Sequence, residues 1–268
     1  MKNIKEISNI KKFVICTYLV FWLMILALGG LVVTVTNNNN FAMQWVVVIC
    51  SWSPTIVLVI LSKKLLNGIS LKEFIKGAFR DKVSLSCLAS STFIIVGIYF
   101  LSAILYGFVA KNSFSVSIFI SFPTILWSLI FSILQGASGE ELAWRGYLLP
   151  RLVDNYGFTK GNVILGFIWA FWHLPLWFIS SGYNSWMLLQ YIVAFILFAV
   201  SFTVFIGWIQ QKCRNLFLAF WMHLLFNFLL TTLSVDILLP ITFMGVSYAV
   251  VAVIIVKSSK VRSNQYGL

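Results

Sequence analysis

Eight apolar stretches, each close to a membrane's width as a helix, dominate this chain: 13–35, 41–61, 84–110, 117–139, 162–180, 186–209, 216–233 and 237–256. Crossing the hydrocarbon core takes about 20 mostly apolar residues in a helix. Lipid offers no partner to an unpaired backbone amide, so only helices and closed barrels can span it. These runs are far too long and continuous for barrel strands. Composition agrees: the 268 residues are 60% hydrophobic and only 10% charged, against about 25% charged in soluble domains. The expected fold is an all-α polytopic membrane protein of about eight transmembrane helices. The first run follows Lys11 and Lys12, and "ALG" at 27–29 resembles a weak cleavage site. It is nonetheless longer than the roughly 7–15 apolar residues of a signal peptide, so it reads as an uncleaved first span.

The formal charge of +12 would suit nucleic acid, but its distribution does not. With eight alternating spans, every Lys and Arg except Lys111 falls on one side of the membrane. That bias orients membrane proteins with the basic loops inside, so both termini are expected in the cytoplasm. The basic balance is a topology signal, with headgroup contact as its by-product, and no nucleic-acid partner is implied. The stretch "KEFIKGAFRDK" (72–82) places Phe74, Ile75, Ala78 and Phe79 on one side of a helix. It reads equally as an amphipathic interfacial helix or a solvated loop. The chain divides into 1–115 (N-terminal spans and that loop), 116–256 (the core carrying the polar motifs) and 257–268 (a basic tail). Cys16, Cys50, Cys87 and Cys213 form no C-x-x-C pair. They make a poor disulfide framework and a poor zinc cluster, and read instead as small hydrophobes.

Polar groups inside the spans carry the functional signal. Of the 7 Asp and Glu, only Glu140 and Glu141 sit at the end of a span; the others lie in tails or loops. Alone they could mark the membrane boundary, although intramembrane ionisable groups are functional by default. The chain's 2 histidines, His173 and His223, both lie within spans. From the cytoplasmic ends of those spans they are about 16 Å and about 10 Å deep at 1.5 Å per residue. Carboxylates and histidines thus enter from one side to similar depth. Glu141 and Arg145, four apart, stand about 40° apart around a helix and can form an ion pair. Glu140 lies about 140° from Arg145, which leaves it as the freer carboxylate, able to meet His173 and His223. His223 and Asn227 share a face, as do Trp169 and His173. Pro175 removes the amide that would bond back to Phe171 and loosens the helix beside His173.

A carboxylate, two imidazoles and an amide converging in a dry site suit hydrolysis. Glu140 or a histidine can take a proton from water, and a histidine with asparagine can stabilise an oxyanion. Glu140, His173 and His223 could equally be a two-histidine, one-glutamate zinc set, although H-E-x-x-H is missing. There is no G-x-S-x-G, P-loop or G-x-G-x-x-G. The serines of the spans read as helix-packing residues.

Three motifs in order resemble a known family. "EELAWRG" (140–146) resembles the E-E-x-x-x-R motif of the intramembrane CaaX-protease and bacteriocin-processing family, which includes the type II CaaX prenyl endopeptidases and lysostaphin-resistance-like proteins. "WAFWH" (169–173) resembles its F-x-x-x-H motif and "HLLFN" (223–227) its H-x-x-x-N/D motif. The resemblance covers about 122–233. It implies an intramembrane endopeptidase in which Glu140 and His173 activate water, His223 and Asn227 stabilise the oxyanion, and Glu141 and Arg145 order the site. Trp169 stands where the family usually has phenylalanine; an aromatic ring is kept for packing beside His173. The family has been described both as zinc-type metalloproteases and as metal-free glutamate proteases. The resemblance implies a membrane-associated peptide or protein substrate and a bacterial cytoplasmic membrane, with the site open to the cytoplasmic side. Some bacterial relatives serve in bacteriocin self-immunity or act through a partner membrane protein, which makes a non-proteolytic immunity protein or sensor-kinase scaffold the alternative. A proton-coupled transporter is less well matched, because repeat symmetry and paired broken helices are missing.

Overall fold

The computed structural model describes residues 4–36, 39–111, 122–179 and 181–265, with side chains excepted at 122–124 and 259–265. The beginning of the expected span 117–139 and the domain boundary at 115/116 lie outside the described residues, as do Lys2 and Ser180. In chain order the helices are α1 (Ile4–Thr36), α2 (Asn40–Ser51), α3 (Ser53–Leu65), α4 (Leu71–Ala78), α5 (Leu85–Ala110) and α6 (Phe122–Ser132). There follow α7 (Ser138–Glu141), α8 (Leu149–Tyr156), α9 (Phe158–Trp172), α10 (Leu174–Ile179), α11 (Ser185–Lys212), α12 (Leu216–Thr231) and α13 (Leu238–Gln265). Turns of π-helix, Ile133–Ala137 and Leu142–Leu148, flank α7.

Local chemistry fixes the ends of these helices. Orphan amides of a first turn need acceptors, and short polar side chains supply them. Asn39 Oδ1 accepts from the Ala42 amide, Ser84 Oγ from Cys87 and Asn215 Oδ1 from Phe217. Ser70 and Glu73 form a reciprocal capping box on α4. The helix expected over 72–82 forms only as α4, which ends at Ala78 with Phe79 as its C-cap and has no buried residue; 80–82 lie beyond it. The Glu73 carboxyl is held below its ordinary pKa, chiefly by the Ser70 hydroxyl and then by the Ser70 amide.

Five described helices are long and apolar enough to cross a membrane: Ile4–Thr36, Asn40–Leu65, Leu85–Ala110, Ser185–Lys212 and Leu238–Ser258. The other three expected spans are the ones that carry the motifs, and they are short or broken. The first leaves helical geometry at Gln135 and Gly136. The second stops at His173, where Pro175 follows, and resumes as α10. The third, α12, has 16 residues. Irregular backbone at membrane depth is tolerated only where protein covers it or a cavity adjoins it. The long helices provide that cover. On one side Phe13 packs edge-on against Trp144 (5.8 Å) and Tyr147 (5.0 Å), and Phe21 lies 4.1 Å from Trp172. Trp22 Nε1 donates to the Trp172 carbonyl at 3.1 Å. On the other side Phe198 stacks on Phe226 (4.3 Å), and Phe202 meets Tyr248 of α13 at 5.0 Å.

The cysteines correct the sequence expectation. Cys87, at the start of α5, and Cys213, after α11, are joined as a disulfide across 126 residues. Linear spacing carries no trace of this pairing, because only the packing of α5 beside the α11–α12 turn brings the two together. Cys50 is free and buried, and Cys16 is free and half-buried.

Candidate active site

Glu140 and Glu141 close α7, immediately after the break at Gln135–Gly136. Both are buried, at 2% and 1% exposure, with Arg145 at 2% and His223 at 3%. Burying four ionisable side chains is tolerable only if they are paired or hydrogen-bonded, and each has at least one such bond, although Glu141 Oε2 and Arg145 Nε are left without a partner. Glu141 Oε1 accepts from Arg145 Nη1 at 2.8 Å and from His223 Nδ1 at 2.6 Å. Arg145 Nη2 donates to Thr203 Oγ1 of α11 at 3.1 Å, and its guanidinium lies 4.4 Å from the Trp169 ring centroid. One carboxylate oxygen therefore links α7, the following π-turn and α12, while Arg145 extends the network to α11.

Here the structure corrects the helix arithmetic. The carboxylate that meets His223 is Glu141, whereas the sequence reading left Glu140 for that task. Counting angles along one helix could not show that α12 approaches from Glu141's side. Glu140 is also not loose: its Oε2 accepts from Trp169 Nε1 at 2.6 Å and from Trp144 Nε1 at 3.2 Å. Two indole donors aim the carboxylate.

His173 is the residue at which α9 ends, and its Nδ1 donates to the Trp169 carbonyl at 2.8 Å. That bond fixes the tautomer and leaves Nε2 as an acceptor. The Trp169 ring stands edge-on between the two imidazoles, 5.6 Å from His173 and 5.3 Å from His223. With Nδ1 of His223 bound to Glu141, its Nε2 edge faces Gly136 and Asn227. A Cβ built on Gly136 would come 2.9 Å from both His223 Nε2 and Asn227 Nδ2. His173 and Asn227 are partly exposed and form the open edge of an otherwise buried group.

Glu140, His173 and His223 do not fit as a zinc set. Among the described residues no three His, Cys, Asp or Glu side chains are gathered so as to hold a metal ion. Glu140 Oε2 is already engaged by two indoles. A cavity of about 590 Å³ lies beside the site, between Glu73 and Phe74 of α4, Phe158 and Asn162 of α9, and Gln210 and Gln211 of α11. Arg145 is the only residue of the network that lines it.

Several contributors were not read from the sequence. Trp144 had a signal, since it stands four residues after Glu140. Trp169 was read as packing; it also supplies an N–H that phenylalanine lacks. Gly136 offered only the hint of a glycine inside an apolar run, and Thr203, Ser51 and Trp52 had none.

Comparison with known proteins finds similarity over this part of the chain. Residues 121–229 match the family model of "Type II CAAX prenyl endopeptidase Rce1-like". The match encloses the carboxylate pair, both histidines and Asn227. A protein of Methanococcus maripaludis described as "CAAX prenyl protease 2" is 29% identical over 224 residues, covering 80% of this chain and 82% of the relative. The motif-bearing part of the chain is thus similar to the Rce1-like type II CAAX prenyl endopeptidases. The chain is a CaaX-protease-like intramembrane endopeptidase. In the family's terms, the three ordered motifs come to rest on the three interrupted or short helices, enclosed by the five long ones.

Proposed function

We propose that this endopeptidase cleaves a membrane-associated peptide or protein by water activated between Glu140 and His173. The observation that carries the reading is the division of labour between the two carboxylates. Glu141 is committed through Oε1 to His223 and Arg145. Glu140 is aimed through Oε2 by two indole N–H groups, one from Trp144 and one from Trp169, and has no cationic partner of its own at hydrogen-bond distance among the described residues. In the reaction, Glu140 takes one proton from a water that the Nε2 of His173 orients, as the water oxygen attacks the scissile carbonyl. Negative charge builds on the carbonyl oxygen, and Asn227 Nδ2 with His223 stabilises it. The proton then passes to the departing amine as the C–N bond breaks. Glu141, Arg145 and Thr203 keep the pair in register.

The core is 116–256, and the spans of 1–115 cover it. The basic residues outside the spans, all but Lys111 on one side, support cytoplasmic termini and a site that opens to the cytoplasmic side. The resemblance to bacterial relatives supports placement in a cytoplasmic membrane. The description of the archaeal relative makes a prenylated CaaX carboxyl terminus the first substrate class to try.

The test compares Glu140→Ala and His173→Ala with the unaltered protein in membranes of equal expression. Prenylated and unprenylated CaaX peptides and total membrane peptides serve as substrates. Loss of processing in both variants is expected. Processing that persists in both removes the hydrolytic reading, and a cellular phenotype retained by both points to a scaffold or immunity role. Because the donors do not assemble a metal set, exhaustive chelation is expected to leave processing intact.

A further inference from the structure

The break at Gln135–Gly136 has no counterpart in the three motifs. Gln135 is extended (φ −87°, ψ 138°) and Gly136 is left-handed (φ 67°, ψ −80°). A residue with a side chain adopts that second geometry only under strain. Unwinding a helix inside a membrane frees backbone groups that must find partners, and they find them in the break between α2 and α3. The Gly136 amide donates to Ser51 Oγ at 3.3 Å, and Trp52 Nε1 donates to the Leu134 carbonyl at 2.9 Å. Ser51 Oγ is itself held by the Val48 carbonyl at 2.7 Å. Gly139 lets the two backbones close: a Cβ there would lie 2.9 Å from the Ser51 carbonyl oxygen and from Trp52 Cα. Two interrupted helices interlock at one point.

That point faces the His223–Asn227 pair. A Cβ on Gly136 would stand 2.9 Å from His223 Nε2, 3.0 Å from its Cε1 and 2.9 Å from Asn227 Nδ2. His223 cannot retreat freely, because its other nitrogen is bound to Glu141 at 2.6 Å. The bare Cα of Gly136 therefore sets the distance between the pair and the wall opposite.

We propose that Gly136, with Ser51 and Trp52 holding its backbone, is a positioning element for His223 and Asn227. Ser51 and Trp52 lie outside the family-matched segment 121–229. The proposal rests on the hydrolytic reading only in naming that pair as the oxyanion site.

Because the chain has only 2 histidines, ring signals report on the site directly. The full-length protein, labelled with nitrogen-15 histidine in nanodiscs, is compared as Gly136→Ala, Ser51→Ala and Gly97→Ala. Gly97 has nothing within 4 Å of a built Cβ. In Gly136→Ala the His223 ring signals, including the proton shared with Glu141, are expected to move while those of His173 stay. Ser51→Ala is expected to move the His223 signals less, and Gly97→Ala not at all. On a peptide that the unaltered protein cleaves, Gly136→Ala is expected to lower kcat about 10- to 100-fold with KM little changed. His223 signals that coincide with the unaltered protein's in both Gly136→Ala and Ser51→Ala overturn the proposal. If Gly136→Ala does not fold, Ser51→Ala decides by the same criterion. If His223 moves yet Glu140→Ala still cleaves, the positioning stands and the hydrolytic reading falls. If Glu140→Ala is inactive and His223 does not move, the outcome is reversed.

Discussion

Replacing Trp169 by phenylalanine removes one N–H from the site and leaves an aromatic ring in place. The lost contact is the 2.6 Å bond from Trp169 Nε1 to Glu140 Oε2, the shorter of that oxygen's two indole bonds. A hydrogen bond to a charged group contributes about 1.5–3 kcal/mol. With about 1.4 kcal/mol to each factor of ten in rate, complete loss of its aiming effect corresponds to roughly 10- to 150-fold. Trp144 keeps its own bond at 3.2 Å, so the lower part of that range is expected, about 10- to 30-fold. The ring contacts to His173 and His223 survive in phenylalanine, so KM is expected to change little. The assay is steady-state cleavage of a peptide in nanodiscs, with kcat and KM separated. Trp144→Phe, which removes the longer bond, is expected to lose less. Equal or greater loss in Trp144→Phe, or an unchanged kcat in Trp169→Phe, would refute the argument that indole donors aim Glu140.

The remaining expectations concern the packing and the cytoplasmic helix. Arg145→Met leaves Glu141 facing His223 without its guanidinium partner, and breaking a buried pair costs about 3–5 kcal/mol. Thermal unfolding in detergent should show that loss, with partial recovery in the double variant Glu141→Gln/Arg145→Met. Gly166→Ala would place a methyl 2.5 Å from Val200 Cα, on backbone that cannot rotate away. Overpacking of about 1–3 kcal/mol is expected, and a melting temperature equal to the unaltered protein's would contradict the close α9–α11 approach. Glu73 is held below its ordinary pKa by Ser70. Its capping contribution is therefore complete above the ordinary carboxylate range and is lost as pH falls through its lowered value. Amide exchange of 71–78, corrected for intrinsic rates, should accelerate over that window, and Ser70→Ala, which leaves only the backbone amide on Glu73, should weaken the pH dependence.

Much of the architecture was legible because the bilayer imposes its own rule. Long apolar runs must be helices, and five of the expected spans are helical over sufficient length, one of them broken between α2 and α3. The motif-bearing spans looked equally continuous in hydropathy and are not. Gly136 and Pro175 offered hints, but whether a break is tolerated depends on what caps the freed backbone. That is decided by Ser51 and Trp52, some 80 positions away. The disulfide of Cys87 and Cys213 was illegible for the same reason, since 126 residues separate its members.

The sequence by itself determined which side chains could do chemistry: two carboxylates, both histidines and an asparagine, the polar groups that an apolar chain admits at matching depth. It also determined the Glu141–Arg145 spacing that permits an ion pair. Only the tertiary structure decided the partners. Glu141 rather than Glu140 holds His223, and Trp169 and Trp144 hold Glu140. The reason is physical. Helical periodicity fixes relations within one helix, whereas a buried charge takes its partners from whichever helices packing brings against it.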